Sequence, residues 1–184
     1  MGWLLRGSDF LSKEYRKFQE LKLDTSFIGL AHEEEQKYFC TPVGSKIIGW
    51  DNGIHYVFIE EFDEMVFAVN PDTCCDYYVY PLSDNFYDFL SLILATKNTN
   101  VLQQIIHWDK AQYLDFIASS EEIEYTSKPE VVAILEAIHS MGVLPMKNPF
   151  EYVKKVQYEF PYSKIVYRNE FYEVTGSKRT LEKL

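Results

Sequence analysis

The chain has 184 residues, with 28 acidic against 18 basic side chains, a formal charge of −10, 47% apolar residues, 14 Tyr and 13 Phe. That length fits one domain, and eight Gly with seven Pro are too few for a disordered or fibrous chain. The surplus of acid argues against direct nucleic-acid binding, which relies on clustered Lys and Arg to neutralise phosphates.

The N-terminal apolar run, Trp3-Leu4-Leu5, is too short for a secretory core or a membrane span. Gly2 lacks a myristoylation context, because Arg6 stands where that motif needs Ser or Thr. Residues 10–22 predict a helix with Leu11, Tyr15, Phe18 and Lys22 on one face and Ser8 or Asp9 as cap. Cys40, Cys74 and Cys75 are sparse and odd in number, and they lack partners at metal-ligand spacing. They predict structural thiols in a reduced, cytoplasmic protein without cofactor.

From residue 38 to 80 the pattern is that of a sheet. Apolar runs at Lys46–Trp50, Ile54–Phe62, Met65–Asn70 and Tyr77–Tyr80 are separated by Asp51-Asn52-Gly53, Glu61-Phe62-Asp63-Glu64 and Asn70-Pro71-Asp72. Asn52-Gly53 is a strong hairpin signal, because both residues tolerate positive φ. The period then becomes 3.6. Phe86, Phe89, Leu90, Ile93 and Leu94 form one stripe over 85–96, with Ser83 or Asp84 as cap. Further helices are predicted near 100–107, 109–118, 128–141 and 148–158. Ser127-Lys128-Pro129-Glu130 reads as a capping box, Asn148-Pro149 as a cap followed by proline at the first helical position, and Gly142 as a stop. Residues 162–174 carry no clear period, and 176–184 read as a fraying tail. The expectation is one α+β domain: an N-terminal helix, an antiparallel or mixed sheet of about four to six strands, and a helical portion over 84–160 gathered on one side of it.

The charge is local. Residues 30–96 hold two basic and twelve acidic side chains, which accounts for all of the −10, while the remainder is neutral. Acidic hairpin tips are ordinary solubilising surface, but a one-signed field also steers basic partners. Alternating strands place some tyrosines outward, and outward tyrosine beside surplus acid reads as an interaction face. The partner-contact candidates are Trp50, Asp51, Glu60, Glu61, Asp63, Glu64, Asp76 and Tyr78. Catalytic alternatives centre on His55 with the acids of its hairpin, and on His107 beside Asp109. A turn decorated with acids and a helix boundary with its cap explain those two patterns more simply. His32 and His139 have no partner pattern. Gly44-Ser45-Lys46 lacks the upstream glycine of a phosphate loop, and no nucleophile elbow or paired Cys-x-x-Cys is present.

Met65-Val66-Phe67-Ala68-Val69-Asn70-Pro71-Asp72, followed by Tyr77-Tyr78-Val79-Tyr80-Pro81-Leu82-Ser83-Asp84-Asn85-Phe86-Tyr87-Asp88-Phe89-Leu90, resembles the SUKH superfamily. That superfamily joins yeast cell-wall synthesis regulators of the Smi/Knr type with many bacterial immunity proteins. Asn85–Leu90 matches the family's helix start of the form Ser-Phe-x-x-Phe-Leu, and Ile48–Gly53 looks like its earlier strand and turn. The likeness spans residues 46–94. The family's Leu-Pro-x-x-Tyr opening and Asn-Gly-Gly turn are not clearly present, and the helical part after residue 96 is longer than the core fold needs. The resemblance implies a non-enzymatic α+β binding scaffold, often one that neutralises a toxin by direct contact. Expectation therefore falls on a cytoplasmic protein-binding module whose partner is a protein such as a basic toxin domain. The alternative is a small acid–base or metal-dependent enzyme built on His55 or His107.

Overall fold

The computed structural model describes residues 12–32, 36–73 and 76–178. Gly2, Arg6, the Ser8 and Asp9 caps, Leu11, Cys74, Cys75 and the tail beyond 178 lie outside the described residues.

The first helix, α1 (Lys13–Gln19), is shorter than its periodicity predicts. It is capped by Ser12, whose hydroxyl accepts from the Tyr15 amide, and Tyr15 and Phe18 are its buried pair. A 3-10 turn at Thr25–Ile28 follows. The sheet has four antiparallel strands in sequential order: β1 (Ser45–Asp51), β2 (Ile54–Ile59), β3 (Val66–Val69) and β4 (Val79–Ser83). Two ends differ from expectation. β2 stops at Ile59 because Glu60–Phe62 winds into a 3-10 turn, and β4 starts at Val79 and runs through Pro81 to Ser83.

Helices α2 (Phe86–Thr96), α3 (Thr99–Gln104), α4 (Lys110–Ile117), α5 (Ser120–Thr126), α6 (Pro129–Ser140), α7 (Pro149–Glu159) and α8 (Asn169–Thr175) complete the order. The α2 cap is Asn85 rather than Ser83 or Asp84. The Ser127 capping box does not form. Ser127 Oγ donates instead to the Ile123 carbonyl at the end of α5, and α6 starts at Pro129 without a side-chain cap. The true capping box is Asp109 with Gln112 on α4. Gly142 stops α6 as expected, at φ 87° with its amide on the His139 carbonyl.

Strand alternation sorts the core into two layers. Ile54, Tyr56, Phe58, Val66, Ala68, Tyr80 and Leu82 form the first face, covered by α1, α2, α3, α6 and α7. Tyr15 stands edge-on to both Phe58 and Phe86, with centroids at 5.2 and 5.0 Å. Val57, Ile59, Phe67, Val69 and Val79 form the second face, under Cys40, Phe160 and Ile165 with Tyr38, Phe39, Tyr167 and Phe171 packed around them. The helices are therefore not confined to one side. The end of α7, the segment after it and α8 close the second face.

This changes the reading of the tyrosines. Tyr56 and Tyr80 are fully buried on the first face, and their hydroxyls donate to the Thr99 and Gln103 carbonyls of α3. Tyr77 does face outward and stacks on Tyr162 at 3.8 Å. Cys40 is wholly buried, and burial pushes its thiol up to about 12, as expected of a structural cysteine. Among the described residues no helix is long and apolar enough to cross a membrane.

Candidate functional site

The hairpin turn of Asn52 and Gly53, at φ 48° and 82°, pairs Trp50 with His55 and Asp51 with Ile54. This register sends the two candidates to opposite sides of the strand. Trp50 joins the second face and Asp51 the first.

Around Trp50 the rings interlock. Tyr38 stacks on His55 at 4.9 Å, while Trp50 stands edge-on to His55 at 4.7 Å and to Tyr38 at 5.6 Å. His55 is completely buried and its Nε2 meets Thr41 Oγ1 at 3.2 Å. Neither His55 Nδ1 nor Trp50 Nε1 has a hydrogen-bond partner among the described residues. Asp51 Oδ2 accepts from Gln103 Nε2 at 3.1 Å. Burial pushes its carboxyl above the usual range, and this hydrogen bond partly opposes the shift. Tyr38, Trp50, Asp51 and the Asn52-Gly53 turn line a cavity of about 250 Å³ at the sheet's outer corner.

Glu60, Glu61 and Asp63 stand exposed on and just after the 3-10 turn that ends β2. Glu64 is half-buried, and burial raises its carboxyl against a hydrogen bond from Ser12. Asp76 is exposed, and Tyr78 is half-buried between Phe39 and Phe171. Strand register decides which of these meet. Asp51/Ile54 and Val69/Val79 mark one end of the sheet, Ser45/Ile59 and Val66/Ser83 the other. Trp50, Asp51, Asp76 and Tyr78 thus belong to one end, and Glu60, Glu61, Asp63 and Glu64 to the opposite end. The length of β2 separates them, roughly 20 Å at the rise of an extended strand.

The histidines have different surroundings. Burial lowers His55 to about 4, so the imidazole is neutral at pH 7, and its near neighbours are Thr41 and two aromatic rings rather than a carboxylate. His107 lies between α3 and α4, lowered first by burial and then by the Lys154 ammonium. Asp109 accepts from the Gln112 amide at Oδ1 as the α4 cap, the role the helix boundary predicts. Among the described residues no three His, Cys, Asp or Glu side chains gather to hold a metal.

Tyr38, Thr41 and Gln103 complete the hairpin-tip arrangement, and sequence reasoning did not select them. The one available signal is Gln103, a polar residue buried on α3 among Thr99, Val101 and Leu102. Comparison with known proteins adds no relative: no family model, curated protein or solved structure matches the chain.

Proposed function

We propose that this protein is a non-enzymatic binding module for a basic protein partner. The supporting observation is the acidic turn. Glu60, Glu61 and Asp63 are exposed on adjoining positions, and none lies within ion-pair distance of a cationic side chain among the described residues. By contrast, Lys110–Glu151 and Lys155–Glu159 pair acids with bases on the helices. Unpaired charge of one sign raises association rates with complementary surfaces and disfavours like-charged ones. A toxin domain as that partner, and a cytoplasmic setting, are the finer readings that the SUKH resemblance supports.

The test is affinity capture from native lysate with the wild-type chain and with the E60K/E61K double variant. The expected result is a protein of basic pI retained at low salt, weakened as salt rises and lost with the variant. Equal capture by both chains, or no capture at low salt, overturns the proposal. A toxin gene adjoining this one is the result expected of the finer reading.

A further inference from the structure

An apolar cleft adjoins the acidic turn. Val43 and Val166 are 50% and 54% exposed, and they are neighbours, because the Val43 amide donates to the Val166 carbonyl at 2.8 Å. The turn is fixed to the same place. The Glu60 amide donates to the Gly44 carbonyl at 3.1 Å, and Glu60 Oε2 lies 3.6 Å from the point where a Cβ on Gly44 would stand. The Glu60 side chain thus folds back over Gly44, beside Val43, and both valines line one cavity of about 320 Å³ with Glu60 and Glu61. Phe62 lines it too and is held from behind by Phe160 and Phe67, with centroids at 5.0 and 5.5 Å. Walls ordered in advance lower the entropic cost of binding. Lys164 is the cation of the lining. The two glutamates outnumber it, and among the described residues it pairs with neither. Exposed ion pairs contribute little by themselves, so apolar contact must supply affinity while the acids select the partner. A second copy of this chain fits poorly, because it brings a charge of −10. A basic segment fits well, since lysine and arginine lay apolar stems along such a surface and keep their heads at the carboxylates.

We infer that this cleft takes a two-part segment of the protein partner: an aliphatic side chain against Val43 and Val166, with an adjoining lysine or arginine at Glu60 and Glu61. The inference rests on the protein-partner reading above and deepens it from charge to a basic–aliphatic motif.

The test is a peptide titration of the full chain followed by the Gly44, Glu60 and Val166 amide resonances in ¹⁵N NMR. The probes are acetyl-Gly-Lys-Ile-Lys-Gly-amide, the same peptide with serine for isoleucine, and acetyl-Gly-Glu-Ile-Glu-Gly-amide. Saturable shifts with the first, binding ~10-fold weaker with the serine peptide and none with the glutamate peptide are expected. Val43→Ser with Val166→Ser should bring the isoleucine peptide level with the serine one. Both valines are exposed, so the fold tolerates the change. Lys164→Gln should raise the affinity of the basic peptides ~2-fold by removing a like charge. Equal binding of the isoleucine and serine peptides, or no saturable shift at these amides, overturns the inference. So does self-association in sedimentation that the valine substitutions abolish, which would assign the cleft to a second copy. The two proposals fail separately. A basic protein captured equally by wild type and by the double-serine chain leaves the charge reading standing and sinks the motif, whereas equal capture by the E60K/E61K variant sinks the charge reading itself.

Discussion

Thr41 Oγ1 and His55 Nε2 lie 3.2 Å apart in the interior, covered by the Tyr38 and Trp50 rings. Thr41 Oγ1 also accepts from the Tyr38 amide, and burial without a neighbouring carboxylate keeps the imidazole uncharged. The site is built for the neutral ring.

Acid stability follows from the burial of His55. Folding lowers His55 from about 6.5 to about 4, so between these values the unfolded chain binds more protons. The contribution is fully present above pH 6.5 and lost as pH falls towards 4, by up to ~3 kcal/mol. Urea unfolding at pH 7 and 4.5 should show a smaller acid loss in His55→Gln than in wild type. Identical losses would refute the assignment.

Gly29 is held by sterics as well as by its backbone. At φ 77°, an added Cβ would lie 2.0 Å from Thr99 Oγ1, the hydroxyl that donates to the Gly29 carbonyl. Gly53 has φ 82° and open space around it. Gly29→Ala should cost ~3 kcal/mol or more, and Gly53→Ala only ~1 kcal/mol, by denaturant unfolding. Equal costs would mean that backbone conformation alone decides both.

Phe160 tests the second layer. It packs on Phe62, Phe67 and Tyr162 with centroids at 5.0 to 5.1 Å and is 7% exposed, whereas Tyr158, two residues earlier, is 91% exposed. Phe160→Ala should destabilise by ~3–5 kcal/mol. Tyr158→Ala should stay within ~0.5 kcal/mol. A small effect at Phe160 would show that the second face tolerates being uncovered.

Asp63 occupies a glycine position. At φ 51° and ψ −122° it follows Phe62, whose carbonyl accepts from the Met65 amide, so it is the first central residue of a type II′ turn. Asp63→Gly should raise stability by ~1 kcal/mol by relieving that conformation. A lower unfolding midpoint for the variant would show that the aspartate side chain offsets its own strain.

Local signals in the sequence were strong where one residue type has one physical use. Asn52-Gly53 gave the hairpin, the Phe86–Ile93 stripe gave α2, and Pro149 marked the first residue of α7. α5 was invisible because it buries only Glu122 and Thr126 and leaves its one aliphatic residue, Ile123, exposed. β4 was misplaced because Pro81 reads as a strand breaker, although it sits in an edge strand, where a missing donor is tolerated. The cover of the second face was illegible because Phe160, Ile165 and Phe171 follow no period. The acidic candidates could be picked out by composition, but their separation into two ends needed the register, and Tyr38, Thr41 and Gln103 needed the tertiary fold.

The edges of the sheet carry a last consequence. Ala31 exchanges both backbone hydrogen bonds with Trp50 on β1, an irregularity between Ile47 and Gly49 interrupts that strand's register, and α7 lies against β4 with Pro81 in it. Among the described residues neither border offers a regular unpaired ladder for a foreign strand to extend. Such borders disfavour edge-to-edge aggregation, and the partner proposed above would be recognised through side chains and turns rather than by strand addition.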